Sequence, residues 1–531
     1  MMSAIWFGTQ KPCIDTFLRP FVDECRDLAI NPLQWIDSTG ICHICRVFTL
    51  VCSSDAIVRA ILRNCKQFNG KFGCDWCLHP GEVVEKGRGF VRSYFYRKHA
   101  ERTHTQFKTD ATDAYHTTTV KHGVKGPSIL LLLPLFDIVS GFIPDYMHCV
   151  LLGVCRQMMG LWMDTCNHLQ PWYIGRKIQV FERKLLSIKP PTEITRSPRS
   201  IAQRKFWKAS EWRAFLLYYA FYVLPGILPT PYLEHFFLLS CSIHLLLQQS
   251  VSFSDIKKAE TSLVSFVKKM ELLYGRENVS FNVHQLTHLS TSVWNWGPLW
   301  STSAFTFESN NGYLKTLFNG TQFVSQQVVE VFLLWQEIPR RLNELCFEPW
   351  SDFGKFVCSI TGLSPLQRIA SFKTVSEPSR IHMTASMEIT IENLIQAPVF
   401  NKYAESYDRF IFGNVMYHTA QYKRILKRDN TFIKIKDIHA QLLHLLISKI
   451  NCVCQSECSC SPTPILIVQI YSVLNSPRMI SSTIAAKTAK TRHIKAFFLN
   501  DLVGKCVQMG GWFHFQINLK PINIKSYSTT P

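Results

Sequence analysis

The sequence predicts an α+β protein in three sections. Strand-like and helix-like stretches alternate through the first 148 residues, long 3.6-residue apolar periods run from about 145 to 345, and short alternating apolar runs return after about 385. The first pattern favours an α/β section with parallel strands. The second predicts a helical insertion, and the third a β-rich end.

In chain order, "SAIWFGTQKP" reads as a short strand and turn, and "IDTFLRPFVDECRDLAI" carries a helical period. "RVFTLVC" reads as a second strand, and "DAIVRAILRNC" as a helix with Asp55 at its start. Helical stretches are expected over 145–165, 200–223, 233–249, 254–274 and 323–345. Scattered Gly, Ser and Pro mark 350–385 as a linker. Beyond it, "FIFGNVMYH", "TFIKIKDI", "PILIVQIYSVL" and "GWFHFQINLK" have the length and alternation of strands. The expected sections are thus 1–148, a helical insertion 149–280, closing helices 281–349, the linker 350–385 and a basic β-rich domain 386–531.

Charge bounds the partner. The 58 Lys+Arg against 38 Asp+Glu give a net +20, which favours a polyanion, most often nucleic acid, over a basic surface that merely confers solubility. The clusters "KRILKR" and "KTAKTRHIK" fit either reading. The first residues lack the basic-then-apolar build of a signal peptide, so the 19 cysteines are read as reduced thiols in an intracellular compartment. The uncharged stretch 214–232 carries Pro225, Pro229 and Pro231, whereas a spanning helix needs about 20 apolar residues in unbroken helix. No membrane span is expected.

Three motifs carry chemistry. Cys74 and Cys77 form a C-x-x-C in "GCDWCLHPGE", open to a zinc knuckle, a redox pair or chance. His284 and His288, four apart in "NVHQLTHLS", share one helix face and can offer two imidazoles, although such pairs often only pack or face solvent. Joined, the two pairs would make a closed Cys2His2 zinc site. In "IPDYMHCVLLGV", Asp145 precedes an apolar helix and reads as its N-cap, with His148 half-buried in the first turn. Cys452, Cys454, Cys458 and Cys460 in "NCVCQSECSCSP" form a second knuckle or a thiol-rich hairpin tip.

The ordered series "FLRPFVDE", "SSDAIVRAIL", "FNGKFGCDWCLHPGE", "PDYMHCVLLGV", "FNVHQLTHLSTSVWNWGPLW" and "FESNNGYLKTLFNGT" resembles the transposases of CACTA (En/Spm-like) DNA transposons, nearest the animal branch, from about residue 5 to 345. The resemblance implies a partial RNase H-like core interrupted by the helical insertion, with acidic residues binding Mg2+ for two-metal strand cleavage and transfer. It places the second acid on Asp55, the third on Glu308, and a D-x-x-H motif on Asp145 and His148. It also implies one structural Zn2+ held by Cys74, Cys77, His284 and His288. No acid matches the family's first Asp; Asp15, Asp23 and Asp27 read as helix surface, and the family's N-terminal DNA-binding segment has no counterpart. The expectation is a transposase-derived nuclear protein, truncated at its start and catalytically incomplete, with DNA (transposon ends or chromatin) as partner and a homo-oligomer implied by the family. The alternatives are a working transposase and a non-enzymatic DNA- or chromatin-binding protein on the same scaffold.

Overall fold

The computed structural model describes residues 4–344 except 7 and 38, and 351–514 except 355, 357–371, 414, 425–426, 451, 453, 455–459, 475–484 and 510–511. It is 44% helical and 20% strand, an α+β protein. No helix among the described residues is long and apolar enough to cross a membrane. Two compact units emerge: Met1–Asp164 with Thr230–Arg340, and Thr165–Pro229 with Arg341–Asn523.

The first unit begins with the helix Ile14–Ile30, whose Val22 and Cys25 enter a core with Phe107, Ala111, Ile129, Leu130, Phe136 and Phe142. Asp15, Asp23 and Asp27 are exposed on that helix. Where parallel strands were expected, two antiparallel hairpins stand instead, Leu33–Ile36 with Cys42–Cys45 and Glu82–Lys86 with Gly89–Ser93. "SAIWFGTQKP" forms no strand among its described residues, and "RVFTLVC" contributes only one parallel bridge, Cys52 to Phe142. The physical reason is a missing neighbour. Val47, Phe48 and Leu50 are about two-fifths exposed, and a strand without a partner leaves its backbone groups unpaired.

The helices follow the apolar periods closely. After Asp145 the chain winds as a π-helix over Met147–Cys155 and continues as α-helix over Arg156–Met163. The helices Thr230–Leu246 and Phe253–Tyr274 pack together, with the buried His235 ring stacked on Phe266 at 4.0 Å. Every described element between 149 and 280 is helical, yet the segment does not stay together: 165–229 belongs to the second unit. Long-range polar contacts explain the division. Arg428 donates to the carbonyls of Pro191, Ile194 and Thr195, and the buried Lys505 reaches Glu193 at 2.8 Å.

In the second unit, the strands Ile438–Ser448, Thr463–Val473 and Ala485–Phe498 run antiparallel at the centre of a nine-stranded sheet. Ile465 and Ile467 face a core with Ile391 of the helix Ala385–Ile395, whereas Leu466 and Val468 face Phe410, Tyr417 and Phe497. Both faces are covered, which is why this strand reads as an unbroken apolar run rather than an alternating one. Of the expected linker 350–385, residues 350, 355 and 357–371 lie outside the described residues, and its described C-terminal part forms the short strands Phe372–Thr374 and Ser379–His382.

Candidate metal centre

Gly73 introduces the C-x-x-C. A Cβ there would lie 2.5 Å from the Gln67 carbonyl and 2.7 Å from the Tyr94 hydroxyl, so only glycine lets the loop pass beneath Tyr94. Arg102 then braces the loop: Nε donates to the Cys74 carbonyl at 2.9 Å, and Nη2 donates to the Phe72 and His122 carbonyls. Opposite, Ser280 caps the helix Phe281–Gln285, which presents His284, and a 3-10 turn, Leu286–His288, presents His288.

The two pairs meet. Cys77 Sγ lies 3.3 Å from His284 Nε2 and Cys74 Sγ lies 3.5 Å from His288 Nε2, while the two imidazole nitrogens are 3.3 Å apart. All four ligand atoms lie within 4.8 Å of one another. Tetrahedral zinc with Zn–S of about 2.3 Å and Zn–N of about 2.0 Å sets its donors roughly 3.3–3.8 Å apart, so this spacing suits a closed structural site. The donor set is soft and borderline, matched to zinc and not to Mg2+ or Ca2+.

The surroundings favour thiolate. Backbone N–H of Trp76 and the Gln285 side-chain amide donate to Cys74 Sγ at 3.5 and 3.3 Å. Burial opposes ionising Cys74, but the hydrogen bond from Cys77 and the two imidazoles outweigh it and hold its thiol well below the usual range. The contact with Cys74, together with burial, pushes the Cys77 thiol up. A bound cation would favour the thiolate form of both sulfurs. Trp76 stacks on His288 and Tyr94 on His284, fixing the rings. Burial lowers His79 to about 4, and its Nε2–H donates to the Phe95 carbonyl while Nδ1 accepts from Gly81 N–H.

An acidic cluster belongs to the same unit, and a buried ion triad ties its first acid to the centre. Asp55 caps the helix Ala56–Leu62 by accepting from Val58 N–H at 2.7 Å. One and two turns on, Arg59 and Arg63 reach into the knuckle and pair with Asp75 at 3.1 and 2.9 Å. Asp145 is buried and fully engaged. Its Oδ2 accepts from His148 N–H and pairs with His148 Nδ1 at 2.7 Å, and its Oδ1 accepts from Ala304 N–H at 2.8 Å, at the head of the helix Phe305–Leu314. His148 Nε2 lies 4.0 Å from Glu308 Oε1, and Glu308 is exposed. Gly153 lets the helix Met147–Cys155 pack close against Phe281–Gln285, since a Cβ there would lie 2.6 Å from Asn282 Nδ2.

Among the described residues, Asp55, Asp145, His148 and Glu308 form no group of three donors within metal-binding distance. The arrangement instead joins the acids through His148, whose pKa is raised first by its hydrogen bond to Asp145 and further by the charges of Asp145, Asp55 and Glu308. A raised folded-state value means the stabilising charge is fully present below the unfolded value, about 6.5, and is lost as pH rises through the folded one. Wild-type protein is therefore expected to lose stability as pH rises above about 6.5 and through the folded value of His148, and His148→Gln to flatten that slope. Urea midpoints measured across a pH series that starts below the unfolded value test this, and equal slopes for wild type and variant refute it.

Sequence reasoning missed Arg59, Arg63, Asp75, His79 and Arg102. The signal for the first pair was available: arginines four apart, on one face of a helix begun by Asp55, with an acid inside the C-x-x-C. Cys452, Cys454 and Cys460 also come within 4.8 Å of one another, while Cys458 lies outside the described residues.

Scanned against known family models the chain matches none, and compared with curated proteins it finds no match.

Proposed function

We propose that the protein is a zinc-stapled, transposase-derived DNA-binding protein, built on a CACTA-type RNase H-like scaffold and without strand-cleaving activity of its own. The observation that carries this reading is the meeting of Cys74 and Cys77 with His284 and His288 across more than two hundred residues, in the order the motifs imply. The net charge of +20 supports DNA as partner, and a nuclear location is part of the same proposal.

The incomplete acidic site supports the lack of cleavage. Two-metal chemistry needs a carboxylate bridging both ions. Asp145 is buried with both oxygens committed to Ala304 and His148, Asp55 spends one oxygen on its helix cap, and Glu308 alone is exposed. Mg2+ would meet two acids at most and bind weakly.

Purified protein with supercoiled plasmid in Mg2+ or Mn2+ is expected to nick no faster than Asp55→Ala. On duplex DNA its affinity should fall steeply with salt, roughly a thousandfold between about 50 and 200 mM if six or more phosphates are contacted. Nicking that disappears in Asp55→Ala would reveal a working nuclease. Absence of binding at the lower salt would remove DNA as the partner.

A further inference from the structure

We propose that Cys452, Cys454 and Cys460 form a second metal site, a thiolate cradle for one zinc-class ion at the tip of the hairpin made by Ile438–Ser448 and Thr463–Val473. This site is independent of the transposase reading. Fourteen residues, 449–462, separate the two strands, and the ladder closes at Ser448 opposite Thr463. A connection of that length is long for a hairpin.

The base of the loop is anchored. Ile450 is buried in the core beside Ile391 and Ile465, and its carbonyl accepts from Phe400 N–H at 3.3 Å. Cys452 follows two residues later, its N–H donating to the Lys449 carbonyl at 2.9 Å. Cys460 returns three residues before Thr463, where the register resumes. The sheet therefore fixes the outgoing and returning thiols against each other, and all three ligand atoms lie within 4.8 Å. Sulfurs around a tetrahedral zinc sit about 3.8 Å apart, so only a small contraction is required.

The chemistry selects the ligand. Among the described residues the group offers three sulfurs, a donor set that favours a thiophilic cation such as Zn2+ over Mg2+ and Ca2+. Cys452 is half-buried while Cys454 and Cys460 are exposed, so an ion can enter without opening the fold. Cys452 and Cys454 are spaced more tightly than the usual C-x2–4-C knuckle, so the pair alone would be a weak signal. The returning Cys460 makes it a site. An ion there would close the loop and so restrict the unfolded chain.

The test uses the full chain, reduced, stripped with chelator and reloaded with Zn2+, with bound metal counted by native mass spectrometry. The variant carries Cys452→Ser, Cys454→Ser and Cys460→Ser together. The expected result is one ion fewer in the variant than in the wild type. Two against one upholds both metal centres, and one against none upholds this site while the Cys74 centre falls. Equal counts overturn the proposal. The variant's melting temperature in chelator should match that of metal-free wild type, which separates metal loss from misfolding. Co2+ supplies a second readout: thiolate-to-metal absorption in the near ultraviolet should weaken in the variant, and undiminished intensity overturns the proposal.

Discussion

Replacing Cys77 with serine is expected to lower the melting temperature of the first unit by about 10 °C or more and to release one zinc per chain. Structural zinc contributes about 10–16 kcal/mol of apparent binding energy in small zinc peptides, all of it available to folding. A loss of at least about 4 kcal/mol is a modest fraction of that, and about 1 kcal/mol shifts a unit of this size by roughly 2–4 °C. The centre joins the knuckle after Gly73 to the turn carrying His288, so losing it releases the one junction where these segments share a ligand set. Strong chelator should reproduce the effect on wild type and added zinc should reverse it. His288→Cys keeps four donors and should retain the ion, which a purely packing role for His288 would not allow. Chelator that removes the metal yet leaves the wild-type melting temperature unchanged would show that zinc does not hold this unit together.

The pairing behind that prediction was legible because each half announces itself locally. A C-x-x-C and an H-x-x-x-H are recognisable spacings, and the family-like order of the motifs joins them. The helices were legible for a similar reason: apolar periods over 145–165, 233–249 and 254–274 end close to where the helices end. What the pattern could not carry was partnership. "RVFTLVC" has the composition of a buried strand, but whether a neighbour covers it is a property of the whole chain, and here Phe48 and Leu50 stay partly exposed. The segment 165–229 reads as one with the helices after it, yet Thr192 and Glu193 meet Asn430 and Lys505, some two to three hundred residues away. The acids show the same limit. Asp145 was readable as a helix cap, but its second oxygen on Ala304 N–H comes from a long-range contact with the head of the Glu308 helix.

Removing the Asp75 carboxylate is expected to cost about 3–5 kcal/mol, because Asp75→Ala would leave two guanidinium groups buried without a counter-charge. Arg59, Arg63 and Asp75 are 2%, 1% and 5% exposed, so water cannot take over the lost role. Arg63 also lies over the Phe107 and Phe142 rings, at 5.2 and 5.7 Å, and cannot swing out without opening that core. The cost belongs to the breaking of the triad more than to its presence. A triple variant, Arg59→Met, Arg63→Met and Asp75→Leu, should recover most of the loss, since apolar groups of similar volume replace a buried ion pair at little cost. Arg59 also donates to the Ile143 carbonyl, two residues before Asp145, so Asp75→Ala should disturb the acidic cluster as well as the knuckle. The pH slope assigned to His148 would then change in Asp75→Ala but not in a surface control such as Glu260→Ala. Urea unfolding gives the free energies. A loss below about 1 kcal/mol would mean that the two arginines find water or other acceptors, and that the triad does not bind the Asp55 helix to the metal centre.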